Sequence, residues 1–278
     1  MCIVNDWCRE YASLYPKKTV SIGHPLSAIF LLVGTAFFFT LQVFYVAPDV
    51  HDGFMYKFFV VSAIFTTYNI IGNLLACHRT SSAVKSLPKE RQVPEPGKEH
   101  LWHYCDICQK LMPPRSWHCA LCKCCILKRD HHCIFAATCI GHNNHRYFFW
   151  FTFYLAFGIF MSMATLLCDV GRSVYLLHRM KAGLSFGNTE INLSYRRYVF
   201  LILNIFALGF PALMLRFQVQ ILKFNSTYYQ ISSRLHDLGF QKNCKLIMGQ
   251  RGLWTFLSPS LKSPLLHDGT HWQIKQCF

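Results

Sequence analysis

Four long apolar runs divide the chain. Thr19 to Pro48 contains no Lys, Arg, Asp or Glu. A helix over its core, Leu26 to Val46, is long enough to cross roughly 30 Å of hydrocarbon at about 1.5 Å per residue. Uncharged runs over Phe58 to Cys77 and Tyr147 to Cys168 predict two further spans. Tyr198 to Leu222 predicts the fourth, kinked at Gly209-Phe210-Pro211 and carrying Arg216 near one end, where it would snorkel. Asn69 and Asn73, four apart, fall on one face of the second span and are expected to bond to another helix. Three polar segments separate the runs. Asp49 to Gly53 reads as an acidic turn and Asp169 to Arg197 as a polar loop. His78 to Arg146 is a long segment that opens with Pro88, Pro94, Pro96 and Gly97 and shows no helical period.

Composition agrees with a membrane protein. Of 278 residues, 53% are hydrophobic and 15% charged, which is too apolar for an ordinary soluble domain. The net charge of +15 would suit nucleic acid in a soluble chain. Beside four spans it reads instead as a basic face against anionic lipid, so no nucleic-acid partner is expected. The 78–146 segment carries eleven Lys or Arg against five Asp or Glu. The charge bias therefore puts that segment and both termini in the cytosol. Five basic residues in 169–197 run mildly against this. Asn192-Leu193-Ser194 would then be a luminal glycosylation sequon and Asn225-Ser226-Thr227 an unmodified cytosolic one. No short apolar region of a cleavable signal precedes the first span, which reads as an uncleaved anchor. Cys2 and Cys8 read as bystanders or lipidation sites.

The chemistry lies in the long segment. Cys105 to Cys139 holds eight of the fourteen cysteines, in the order Cys105, Cys108, His118, Cys119, Cys122, Cys124, Cys125, then Asp130-His131-His132-Cys133, and Cys139. Cysteine pairs two residues apart suit zinc, since one tight turn aims both thiolates at a tetrahedral ion. Such patterns belong to reducing compartments and argue against disulfides. The run supplies more ligands than one ion needs, so two ions are expected. Six cysteines with His118 and His132 make eight ligands and leave Cys124, Cys133, His131 and Asp130 over. A spare cysteine beside a histidine and an aspartate has the parts of an activated nucleophile. Other divisions of the same ligands remain open at this point.

With this spacing the chain resembles the DHHC family of protein S-acyltransferases. The likeness covers every Cys and His of the family's pattern and continues through Gly141-x2-Asn144 and the aromatic run Tyr147 to Phe151. It implies an all-α integral membrane protein: four transmembrane helices with a cytosolic zinc-binding cysteine-rich domain between helices 2 and 3. The segments would be 1–21 (cytosolic), 22–77 (helices 1 and 2), 78–146 (cysteine-rich domain), 147–222 (helices 3 and 4) and 223–278 (cytosolic tail). It further implies one zinc on Cys105, Cys108, His118 and Cys125, a second on Cys119, Cys122, His132 and Cys139, Cys133 as the acylated nucleophile, His131 as its base and Asp130 as the orienting acid. Acyl-CoA, typically palmitoyl-CoA, would be the co-substrate, held with its chain in a cavity among the helices. Proteins with cysteines near the cytosolic membrane face would be the acceptors, and Golgi or endoplasmic reticulum the location. Arg115, Lys128 and Arg129 would meet CoA phosphates or lipid headgroups.

Several positions depart from the family. Ile134-Phe135 stands where Pro-Trp is usual, Thr138 stands where Asn is usual, and no Asp-Pro-Gly follows the second span. Ser226-Thr227-Tyr228-Tyr229-Gln230 matches Thr-Thr-x-Glu only loosely, without the glutamate. Asn243, within Leu238 to Gly249, matches the C-terminal motif, which ties the tail to the span ends. Cys124 reads as a bystander, and His142 and His145 as surface histidines. A membrane-tethered zinc adaptor and a catalytically weak homologue are the competing readings. A channel is disfavoured because the spans offer few polar groups to line a path.

Overall fold

A computed structural model describes Glu10, Ala12 and residues 14–180 and 188–275, without the side chains of 172–180 and 188–197. Cys2, Cys8 and the side chains of the Asn192 sequon lie outside the described residues. Among the described residues four helices are long and apolar enough to cross a membrane: Pro16–Val50, Gly53–Arg79, His145–Gly171 and Tyr198–Phe224. The first two are α1 (Pro16–Val50) and α2 (Gly53–Arg79). The others lie within α3 (His145–Met180) and α4 (Asn188–Phe224). α1 contains two π-helical turns, Thr19–Gly23 and Gln42–Val46. α4 continues through Pro211.

The polar loop expected over Asp169 to Arg197 is instead helical over 169–180 and 188–197. Those stretches contain no proline and one glycine, Gly171, so nothing stops the helices where the apolar runs end.

The described chain forms two compact units. One comprises Leu32–Ile70 and Thr152–Leu215. Leu41, Val46 and Leu166 pack there with Phe200 and Leu201. A buried polar relay runs from Gln42 Nε2 to Ser162 Oγ (2.5 Å), then from Ser162 Oγ to Asn204 Oδ1 (2.5 Å), while Asn204 Nδ2 donates to Phe200 O (2.8 Å). Where no water is at hand, such bonds hold helices in register. Large apolar side chains such as Phe44, Val61, Ile64 and Phe206 point outward. In a lipid environment this costs nothing and matches the solvent. Asn69 and Asn73 are both fully buried, and Asn69 donates to Phe65 O one turn back in its own helix.

The other unit comprises Met1–Leu31, Ile71–Phe151 and Arg216–Phe278. Three two-stranded antiparallel hairpins organise it: β1 (His103–Cys105) with β2 (Lys110–Met112), β3 (Trp117–Cys119) with β4 (Cys124–Ile126), and β5 (His131–Cys133) with β6 (Thr138–Ile140). Each turn closes on a residue in the left-handed region, Gln109, Lys123 or Ala137, with φ of 51°, 53° and 51°. Backbone amides link the segments that flank them: Leu127 N to Ser82 O, Arg129 N to Arg115 O and His142 N to Leu127 O.

Asn144 fastens the third hairpin to the end of α2. Its Oδ1 accepts from Gly141 N (2.9 Å) and Ser82 Oγ (3.1 Å). Its Nδ2 donates to Cys139 O (2.9 Å) and Cys77 O (3.3 Å). The C-terminal part adds α5 (Phe240–Met248). Asn243 Nδ2 donates to Lys223 O (2.7 Å) and Asp237 Oδ1 (2.8 Å), so the tail is tied to the last turn of α4 as the motif implied. Gly249, at φ +82°, lets the chain pass Ser263; a Cβ there would lie 2.4 Å from Ser263 O.

Candidate active site and metal centres

The hairpins bring the cysteines together in two groups. Ligand atoms of Cys105, Cys108, His118 and Cys125 all lie within 4.8 Å of one another, as do those of Cys119, Cys122, His132 and Cys139. In the first group His118 Nδ1 is 3.3 Å from Cys108 Sγ and 3.9 Å from Cys105 Sγ. In the second, His132 Nδ1 lies 3.3 to 3.6 Å from Cys122, Cys139 and Cys119. A tetrahedral ion with bonds of about 2.0 to 2.3 Å holds its ligands roughly 3.5 to 3.8 Å apart. Three thiols and an imidazole at such separations fit zinc in each group. No disulfide joins the described cysteines.

Strand alternation explains why neighbours in sequence go to different groups. Successive side chains on a strand face opposite ways. On β3, His118 joins the first group and Cys119 the second. On β5, His132 faces the second group, so His131 and Cys133 share the other side of the strand.

The third hairpin repeats the first two without their metal chemistry. Cys105, Cys119 and Cys133 each open a turn and fall fourteen residues apart. Cys108 and Cys122 occupy the fourth position of their turns, where the third has Ala136. The Ala136 amide donates to Cys133 Sγ at 3.4 Å. Cys133 therefore occupies the place of a zinc-turn cysteine, yet lacks a second thiol and belongs to neither ligand group. It is buried, with 5% of its surface exposed. Sequence reading set Cys133 apart by resemblance; the fourteen-residue repeat is a further signal that makes the same separation.

Asp130 and His131 meet directly. His131 Nδ1 donates to Asp130 Oδ2 at 2.9 Å, and the Tyr228 amide donates to Asp130 Oδ1 at 2.6 Å. Burial pushes the Asp130 carboxyl up, but the bond and charge of His131, with the Tyr228 amide, outweigh it and hold the acid well below the carboxylate range. Burial lowers His131 in turn, against the pull of Asp130. The pair is an ionised carboxylate and a neutral imidazole whose Nε2 lone pair is open to a proton. The Phe148 ring meets His131 edge-on at 4.8 Å.

Residues 98–234 match the family model for the DHHC palmitoyltransferase. That stretch is a DHHC palmitoyltransferase domain. No curated protein matches it.

In this DHHC protein several side chains stand elsewhere than expected. Arg115 and Lys128 are buried rather than facing CoA or headgroups. Arg115 Nη2 donates to Asn225 O and Lys128 Nζ to Asn225 Oδ1, both at 2.7 Å, and both cations stack on Trp272. Burial brings Arg115 down to about 9. Asn225, the sequon residue, is itself buried by these contacts. Arg129 is half-buried.

His142 and His145, expected at the surface, are buried at 2% exposure. His142 stacks on His267 and bonds its carbonyl at 2.9 Å, and His145 Nε2 meets Gln218 Oε1 at 2.8 Å. Their partners come from more than seventy residues downstream, where no local pattern reports them. Ala136 carries no recognisable chemistry in the sequence, and Asn144 and Tyr228 lie in motif stretches that did not report their hydrogen bonds.

Proposed function

We propose that this DHHC protein transfers a long-chain acyl group from acyl-CoA to protein cysteines through a thioester on Cys133. The observation that carries the reading is the position of Cys133, a turn cysteine left out of both ligand groups and on the same side of β5 as His131. In the first step the Cys133 thiolate attacks the acyl-CoA carbonyl carbon. His131 Nε2 takes the Cys133 proton as the thiolate forms and passes it to the departing CoA thiolate, so His131 is neutral again before the second step. In the second step a substrate cysteine gives its proton to His131 and attacks the Cys133 thioester. The acyl group moves to the substrate and Cys133 leaves as thiolate. Asp130 fixes the His131 tautomer throughout. Thioester exchange is nearly thermoneutral, so a poised thiolate and proximity are what the site must provide.

Cys105, Cys108, His118 and Cys125 would hold one zinc, and Cys119, Cys122, His132 and Cys139 another. Closed four-ligand sites of this kind supply structural rigidity and no open coordination position. The segment boundaries 78–146 and 223–278, placed on the cytosolic face with both termini, complete the reading. The acceptors are then membrane-proximal cysteines of cytosolic-face proteins, and the resemblance favours Golgi or endoplasmic reticulum.

The test is acyl-enzyme formation by full-length protein in detergent with labelled palmitoyl-CoA, comparing wild type with Cys133→Ser and counting zinc in both. Hydroxylamine-labile label on wild type alone, with two zincs in each, is the expected result. An unlabelled wild type that keeps its zinc favours the adaptor. Label without onward transfer favours the weak homologue, which Ile134-Phe135 motivates. Zinc lost from the serine variant would mean that Cys133 is a ligand.

A further inference from the structure

His132 uses one ring nitrogen within the second cysteine group and the other outside it. Its Nδ1 faces Cys119, Cys122 and Cys139 at 3.3 to 3.6 Å. Its Nε2 lies 3.0 Å from Nε2 of His24, and the two rings stack with centroids 5.1 Å apart and planes 21° from parallel. His24 belongs to α1, 108 residues earlier in the chain, and is buried at 8% exposure. Two neutral imidazoles can approach nitrogen to nitrogen at 3.0 Å only if one donates and the other accepts. An Nδ1 that binds a metal has no proton, so the His132 proton must sit on Nε2. That assigns the roles: His132 Nε2–H donates, and His24 Nε2 accepts with its own proton on Nδ1.

We infer that His24 is the positioning residue of the second metal centre, fixing the tautomer and ring orientation of His132 from the first membrane helix. A metal-bound histidine nearly always donates its outer N–H to a carboxylate, carbonyl or water. Here an imidazole nitrogen takes that part, and the helix that brings it lies outside the cysteine-rich segment. His24 sits in a charge-free apolar run. The inference rests on the zinc reading of Cys119, Cys122, His132 and Cys139. It adds that this centre depends on α1.

Three variants separate the hydrogen bond from packing. His24→Gln places an amide oxygen near the position of Nε2 and keeps an acceptor. His24→Phe keeps a stacking ring without an acceptor. His24→Ala removes both. Full-length protein in detergent is mixed with a colorimetric zinc chelator, and release of each equivalent is followed over time. In wild type and His24→Gln both zincs leave slowly. In His24→Phe and His24→Ala one zinc leaves about 10- to 100-fold faster, the usual effect of losing such a partner, and the other keeps its wild-type rate. A His24→Phe protein that releases both zincs at wild-type rates overturns the inference. So does a pair in which Gln and Phe release equally fast, since packing alone would then explain the loss. A wild type with no zinc overturns the metal reading itself, an outcome distinguishable from either.

Discussion

Replacing Asn144 by alanine tests how the third hairpin is held. The side chain is wholly buried and makes four hydrogen bonds, accepting from Gly141 N and Ser82 Oγ and donating to Cys77 O and Cys139 O. A typical hydrogen bond contributes about 1 kcal/mol net, and a buried group left without a partner costs about 1 to 3 kcal/mol. Ser82 Oγ also receives the Asn143 amide at 3.0 Å, so it keeps one partner in the variant. The loss should therefore fall at about 3 to 5 kcal/mol, a large share of the about 5 to 15 kcal/mol that holds a domain together. Asn144→Asp is the sharper control. It keeps both accepted bonds and sets a carboxylate oxygen against two carbonyls, so it should be no better than alanine. The assay is thermal unfolding in detergent with zinc counted before and after. At about 2 to 4 °C per kcal/mol, the midpoint should fall by roughly 6 °C or more. A midpoint within 2 °C of wild type for both variants, with zinc intact, would refute the reasoning, because four buried bonds would then carry no net stability.

Three further outcomes follow from the same geometry. Asp130→Asn should retain two zincs but form the Cys133 thioester about 10² to 10⁴ times more slowly, since His131 loses its carboxylate partner; an unchanged rate in a stopped-flow label assay removes Asp130 from the mechanism. His142 is held neutral, at about 3, by burial first and then by His267 and Lys128, against the pull of Asp268. The unfolded chain takes up its proton below pH 6.5 and the native one does not, so stability is complete above that pH and is lost as pH falls toward 3; wild type should lose about 2 kcal/mol more than His142→Gln between pH 7 and pH 5, and parallel pH profiles in denaturant titrations would contradict this. Gly249→Ala should destabilise by more than about 2 kcal/mol, through its φ of +82° and the clash with Ser263 O, whereas Gly252→Ala, at φ +56° in open space, should cost only about 1 kcal/mol; equal melting points for the two would show that the Ser263 contact is not rigid.

Much of this was legible from the residues alone. The four spans were plain because long apolar runs with at most one charge have no soluble use, and the cysteine spacing pointed to two metal groups. Helix ends were not, since nothing in 169–180 or 188–197 opposes a helix once the apolar run has nucleated it. The hairpins went unseen because three-residue strands have no periodicity to read. The polar residues were the hardest. Lys128, Arg115, His142 and His145 look like surface chemistry, yet Asn225, His267, Trp272 and Gln218 bury them from the far end of the chain. Cys133 was set apart by resemblance, although the absence of a thiol at Ala136 makes the same point by geometry.

The pleat of β5 gives the two adjacent histidines opposite destinies. A mutational scan that scored output alone would treat them as synonyms, since either substitution should silence the protein. Scored by cellular abundance they should part company: a glutamine at His131 leaves a folded, long-lived protein, while one at His132 removes a cross-link and sends the chain to quality control. Parity along a three-residue strand thus separates a silent passenger from a degraded one.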